Sequence, residues 1–61
     1  MHLKPGDRVE HVKSRLLSAP GTVKYVDDTH VRVRWDDGQI GLLYRDDHAT
    51  ARVRDLIKLV T

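Results

Sequence analysis

The residues of this chain best suited to chemistry are its cations. Arg32 and Arg34 alternate with Val31, Val33 and Trp35 in the run His30-Val31-Arg32-Val33-Arg34-Trp35. Successive side chains on a β-strand point to opposite faces, so this spacing aims both guanidinium groups one way and the apolar residues the other. Lys24 stands in a neighbouring alternating run, and Lys13 and Arg15 in the loop before it extend the patch if the register brings them alongside. A stripe of this kind neutralises phosphates and releases their counterions, which gives salt-sensitive and largely sequence-independent binding of nucleic acid. Tyr25, next to Lys24, adds a ring on which a base can stack. The competing expectation is a solvated face whose charges pair with Glu10 or with aspartates across strands.

Other chemistries are poorly supplied. The hydroxyls of Ser14, Ser18, Thr22, Thr29, Thr50 and Thr61 sit in no Gly-x-Ser-x-Gly elbow, and there is no cysteine nucleophile. No catalytic residue is therefore assigned, and the chain is not expected to be an enzyme acting alone. Asp27-Asp28, Asp36-Asp37 and Asp46-Asp47 fall in separate turns, where Asp is favoured for its own backbone hydrogen bonds, rather than converging as a cation cage requires. His2, His11, His30 and His48 lack short metal-ligand spacing and cysteine companions. Neither a metal nor a cofactor is expected.

The elements that must position the cations follow from the turn signals. Aspartate pairs beginning at 27, 36 and 46 separate short alternating runs, the pattern of a small all-β sandwich or barrel. Strands are expected over residues 7–13, 22–26, 30–35 and 39–44. Asp36-Asp37-Gly38 is a tight hairpin turn, Asp27-Asp28-Thr29 a second, and Pro20-Gly21 ends the first loop. On the fourth strand Ile40, Leu42 and Tyr44 share one face. Trp35 lies on the core-facing parity, where a large aromatic carries much of a small domain's hydrophobic stability. For residues 48–60 two readings stand: a helix carrying Ala49, Val53, Leu56, Ile57 and Val60 on one side, or a short helical turn at 53–56 followed by a closing strand. The second is favoured because four strands alone leave an open edge.

Sixty-one residues make one domain, 1–61, of marginal core size. Eleven Lys and Arg against nine Asp and Glu give a net charge of +2, mildly basic, with the acids gathered in turns and the bases on strands. The longest apolar run, Ile40-Gly41-Leu42-Leu43-Tyr44, is far short of the ~20 residues of a membrane helix. Without an apolar leader or cysteine, a cytoplasmic protein with no membrane partner is expected.

Gly6-Asp7-x-Val9 followed by Gly21-Thr22-Val23, its glycines fifteen residues apart, resembles the KOW motif of ribosomal proteins and transcription elongation factors. Val31-x-Val33-x-Trp35-Asp36-Asp37-Gly38, with Asp55-Leu56-Ile57 near the end, is similar to Tudor-type domains. Both resemblances imply the SH3-like barrel class, which together with the reading of the tail gives the expected fold, a five-stranded SH3-like barrel with a short helical turn near the C-terminus. The first also implies a Gly-Asp turn leading into strand one and a Gly-x-Val opening strand two. A Tudor-type methyl-ammonium cage of about four aromatics is not expected, because the chain owns only Tyr25, Trp35 and Tyr44.

Two functions remain open on the sequence. The first is nucleic-acid binding through Lys13, Arg15, Lys24, Tyr25, Arg32 and Arg34. The second is a protein-interaction module or homo-oligomer docking through Leu16, Leu17 and Leu43, which look hard to bury in so small a core and would form an exposed apolar patch.

Overall fold

The computed structural model describes residues 2–12 and 19–59. Lys4-Pro5-Gly6-Asp7 forms the first turn: Pro5 fixes its own φ, Gly6 takes φ +98°, and the Asp7 amide donates to the Lys4 carbonyl at 3.1 Å. Reciprocally, the Lys4 amide donates to the Asp7 carboxylate at 3.0 Å. The turn feeds β1 (Arg8–His11), and the Gly6 amide and Asp7 carbonyl bond to Val23 of the next strand at 2.8 Å each.

Four further strands follow, β2 (Gly21–Val26), β3 (His30–Trp35), β4 (Ile40–Tyr44) and β5 (Leu56–Lys58), with a 3₁₀ turn at Val53–Asp55 before the last. They form one antiparallel sheet in the order β4-β3-β2-β1-β5. Of the two readings of the tail, the short helical turn and closing strand is the one adopted. β5 pairs with β1 through Val9 and Lys58, Glu10 and Ile57, and His11 and Leu56.

Each hairpin is closed by the residues its turn needs. In the β3–β4 loop the Trp35 amide donates to the Gln39 carbonyl at 2.8 Å and the Gly38 amide to the Trp35 carbonyl at 2.9 Å. Gly38 takes φ +95°, the positive value a three-residue hairpin loop requires at its last position. The β2–β3 turn has no positive-φ residue. Instead the Asp27 carboxylate accepts from the Thr29 and His30 amides at 2.8 Å each, and the Asp27 amide donates to the His30 carbonyl at 3.0 Å.

Alternation then sorts the faces. Val9, Val23, Val31 and Val33 are fully buried, and Leu3, Leu43, Val53 and Leu56 complete the core. The overall dimensions are 24 × 21 × 20 Å, so the sheet curls around this core rather than lying flat. Trp35 packs against the cluster while staying partly exposed, its indole lying across two glycines. A Cβ on Gly21 would stand 2.6 Å from Trp35 Cε3, and one on Gly41 would stand 2.7 Å from Trp35 Nε1.

Leu43 corrects an expectation. It is only 2 % exposed and belongs to the core, so it offers nothing to a partner. It pairs with Val31, and directly opposed residues share a face, which places Leu43 with the buried valines. The other side of β4 is outward: Ile40, Leu42 and Tyr44 are all exposed.

Candidate functional site

The outer face of β2, β3 and β4 gathers the cations and the exposed apolar residues in rows set by the register. Arg34 lies between Ile40 on β4 and Thr22 on β2. Arg32 lies between Leu42 and Tyr25, and His30 lies opposite Tyr44. The β2–β3 ladder shifts register between Val23 and Tyr25, so Lys24 and Tyr25 together oppose one residue of β3. Without that bulge Tyr25 would share the inward parity of Val23; with it, Lys24 and Tyr25 are both exposed.

Tyr25, His30 and Tyr44 form a chain of rings, with centroids 5.5 Å apart for the first pair and 6.1 Å for the second, tilted by 36° and 47°. The Arg32 guanidinium carbon stands 5.8 Å from the centre of the Tyr25 ring, in cation–π range. The Tyr25 hydroxyl donates to Asp27 at 3.0 Å, which fixes the ring and holds its phenol protonated to higher pH than usual. At the other end of the face, Thr22, Lys24, Arg34, Trp35, Asp36 and Gly38 line a shallow depression of about 300 Å³.

The electrostatics of this face are one-sided. Among the described residues, Lys24, Arg32 and Arg34 make no ion pair, so pairing across strands with Glu10 or with aspartates is not what occupies them. The nearest acids are engaged elsewhere. Asp36 receives two hydrogen bonds from Arg8, at 2.8 and 2.6 Å, which lower its carboxyl below the usual range and raise the Arg8 guanidinium. Arg8 also donates to the Thr22 hydroxyl at 2.8 Å. The His30 and Thr29 amides hold the Asp27 carboxyl far below its ordinary value. Away from the face, Asp7 pairs with Lys58, Asp47 with Arg54 and Asp55 with Arg52.

Of the expected site residues, the fold brings Lys24, Tyr25, Arg32 and Arg34 onto one surface. Lys13, Arg15, Leu16 and Leu17 lie outside the described residues. Sequence reasoning missed four members of the surface: His30, Ile40, Leu42 and Tyr44. The signal was available, since His30 has the parity of Arg32 and Arg34, and a three-residue loop sets Ile40 opposite Arg34. A second cleft, of about 250 Å³, opens on the other side of Trp35 between His11, Asp37, Gln39 and Ala51.

Among the described residues no three His, Asp or Glu side chains converge as a metal site, and no helix is long and apolar enough to cross a membrane. Comparison with protein-family models, with curated proteins and with solved structures found no match to this chain.

Proposed function

We propose that this chain is a non-catalytic SH3-like barrel module that binds nucleic acid through the outer face of β2, β3 and β4. The observation that carries the reading is that Lys24, Arg32 and Arg34 project together without ionic partners among the described residues, while Asp36 is paired with Arg8 and Asp27 is hydrogen-bonded to backbone amides rather than to these cations. Unpaired cations on a rigid sheet keep their full field for an external anion and need no rearrangement to meet it.

The barrel assignment draws support from the strand order β4-β3-β2-β1-β5, from the 3₁₀ turn ahead of β5, and from the bridge between Tyr44 and Arg52 that brings the tail to β4. The KOW-like resemblance gains support from the Lys4–Asp7 turn leading into β1 and from Gly21 opening β2. There Gly21 has no room for a side chain, because the Trp35 ring occupies the space.

The test is a fluorescence-anisotropy titration of labelled oligonucleotides at low and high salt. Three phosphate contacts give a slope of log affinity on log salt of about −2 to −3. Arg32→Ala with Arg34→Ala removes two of the three and brings the slope to about −1. An affinity unchanged in the double variant rejects the face.

A second reading is favoured by one observation. Ile40 is 67 % exposed and Leu42 43 % exposed on β4, an edge strand. Exposed apolar side chains on a strand edge suit docking against a protein or a second copy. Dimers by light scattering, without salt-sensitive oligonucleotide binding, select this alternative.

A further inference from the structure

Resting on the nucleic-acid reading above, we infer that the ligand of this face is single-stranded, with phosphates held at Lys24 and Arg34 and unpaired bases laid on Tyr25, Tyr44 and Leu42. The basis is the composition of the face. A surface that meets only phosphates needs cations and hydrogen-bond donors, as in duplex binding driven by counterion release. Here the cations are interleaved row by row with large apolar groups: Arg34 with Ile40, Arg32 with Leu42 and Tyr25. Tyr25, Leu42 and Tyr44 each keep more than two-fifths of their surface in water, at 45 %, 43 % and 42 %.

An undeformed duplex cannot cover those groups, and a sheet that enters a minor groove does so only by widening and kinking it, at the cost of unstacking base steps. A duplex presents base edges only inside its grooves, and the wider groove of B-form DNA, ~12 Å across, admits a helix or a two-stranded ribbon. Three strands spaced ~4.8 Å apart, with their side chains, present a broader and flatter surface than that. Against a duplex the tyrosines and leucine would meet sugar, phosphate and water, and the apolar surface would stay wet. Unstacked bases bury it, because every base has an apolar face that stacks on an aromatic ring or packs on an aliphatic side chain.

The geometry fits a short stretch of strand. The depression containing Lys24 and Arg34 lies at one end of the face, and the chain of Tyr25, His30 and Tyr44 at the other. From Arg34 to His30 is four residues of β3, ~13 Å, enough for roughly two or three nucleotides, the number a small sheet surface accepts. Arg32 sits between the two ends against Tyr25, where its guanidinium reaches either a phosphate or the face of a base. Tyr25 is set for this contact before any ligand arrives, because its hydroxyl is already held by Asp27, itself fixed by two backbone amides.

The experiment compares labelled oligo-dT, oligo-rU and a duplex of equal length, by anisotropy, on the wild-type chain, Tyr25→Leu with Tyr44→Leu, and Tyr25→Phe. Trp35 emission and a thermal melt check that each variant is folded. The expected result is single strands bound at least tenfold more tightly than duplex, and about a hundredfold loss when both rings are removed. A much smaller loss is expected for Tyr25→Phe, which keeps the ring but not its hydrogen bond to Asp27. Comparing the dT and rU arms shows whether the sugar is read. Duplex bound as tightly as single strands, with no effect of the leucine variants, overturns the inference and leaves the phosphate-binding face standing. If neither form binds with salt dependence, the underlying reading falls and the inference with it.

Discussion

Replacing Gly21 by alanine tests how the whole face is held. A Cβ at this position stands 2.6 Å from Trp35 Cε3, 2.6 Å from Val33 Cγ1 and 3.0 Å from the Arg34 carbonyl oxygen. Ordinary carbon contacts lie at ~3.5–4.0 Å, so ring and valine must each give by about 1 Å. Neither has an easy retreat. Val33 is fully buried, the oxygen is backbone, and the indole is seated against Gly41 on its far side. Overpacking of this kind costs ~1–3 kcal/mol, and the reduced entropy of the unfolded alanine chain returns ~0.4–1 kcal/mol. The net loss is then about 1–2 kcal/mol out of the roughly 3–9 kcal/mol expected for a chain of this length, or about 5–15 °C in melting temperature. Circular dichroism melts measure it. A variant that melts at or above the wild-type temperature refutes the seating of the indole between the two glycines. Gly41→Ala is the companion: its close contacts are with the partly exposed Trp35 indole alone, with no buried valine and no backbone oxygen beside it. It should lose less stability and instead shift the emission of Trp35, the chain's single tryptophan.

The other expected outcomes address the faces and the charges. Leu43→Ala should cost ~2–5 kcal/mol as a core truncation, while Leu42→Ala, one residue away on the outer face, should change a urea midpoint little; equal effects would mean the parity of β4 is wrong. Asp27 has its folded pKa below the unfolded value of ~3.9, so its stabilising effect is complete above that pH and fades as pH falls towards the folded value. The melting temperature of the wild type should therefore exceed that of Asp27→Asn at neutral pH and converge on it in acid, and a gap independent of pH would contradict the assignment. Arg8→Ala should weaken oligonucleotide binding beyond the loss of one cation, because it leaves Asp36 as a free carboxylate on the rim of the Lys24 and Arg34 depression. Adding Asp36→Asn should restore most of that loss, and failure to restore it argues that Arg8 contacts the ligand directly.

β3 and the turn after it were legible because local chemistry and burial agree there. Strict alternation of valine and arginine leaves one way to face the core, and Gly38 supplies the positive φ that the loop needs. β4 was harder, since by bulk alone Ile40, Leu42 and Tyr44 look like the side to bury and Gly41 and Leu43 like the side to expose. The loop decides otherwise, by pairing Trp35 with Gln39 and so setting Ile40 opposite Arg34. Gly41 then makes sense as an inward residue, because the Trp35 indole needs the space a side chain would take.

The bulge in β2 is the feature no alternation rule supplies, and the candidate site depends on it. Val23, Tyr25 and the two valines of β3 would all belong to one buried face if the ladder ran without interruption. Tyr25 would then be a core residue, and Arg32 would lose the ring it stands over while keeping Leu42 beside it. One extra residue between Val23 and Val26 turns Tyr25 outward beside Lys24 and still returns Val26 to partial burial against the core. The Tyr25–Asp27 hydrogen bond and the Arg32 contact both exist only in that bulged register. A single local shift of register therefore adds the Tyr25 ring to a face that already carries Tyr44 and the cations. On the reading proposed above, that shift is what would set the Tyr25 ring beside Lys24 and Arg32, where a base could stack next to a bound phosphate.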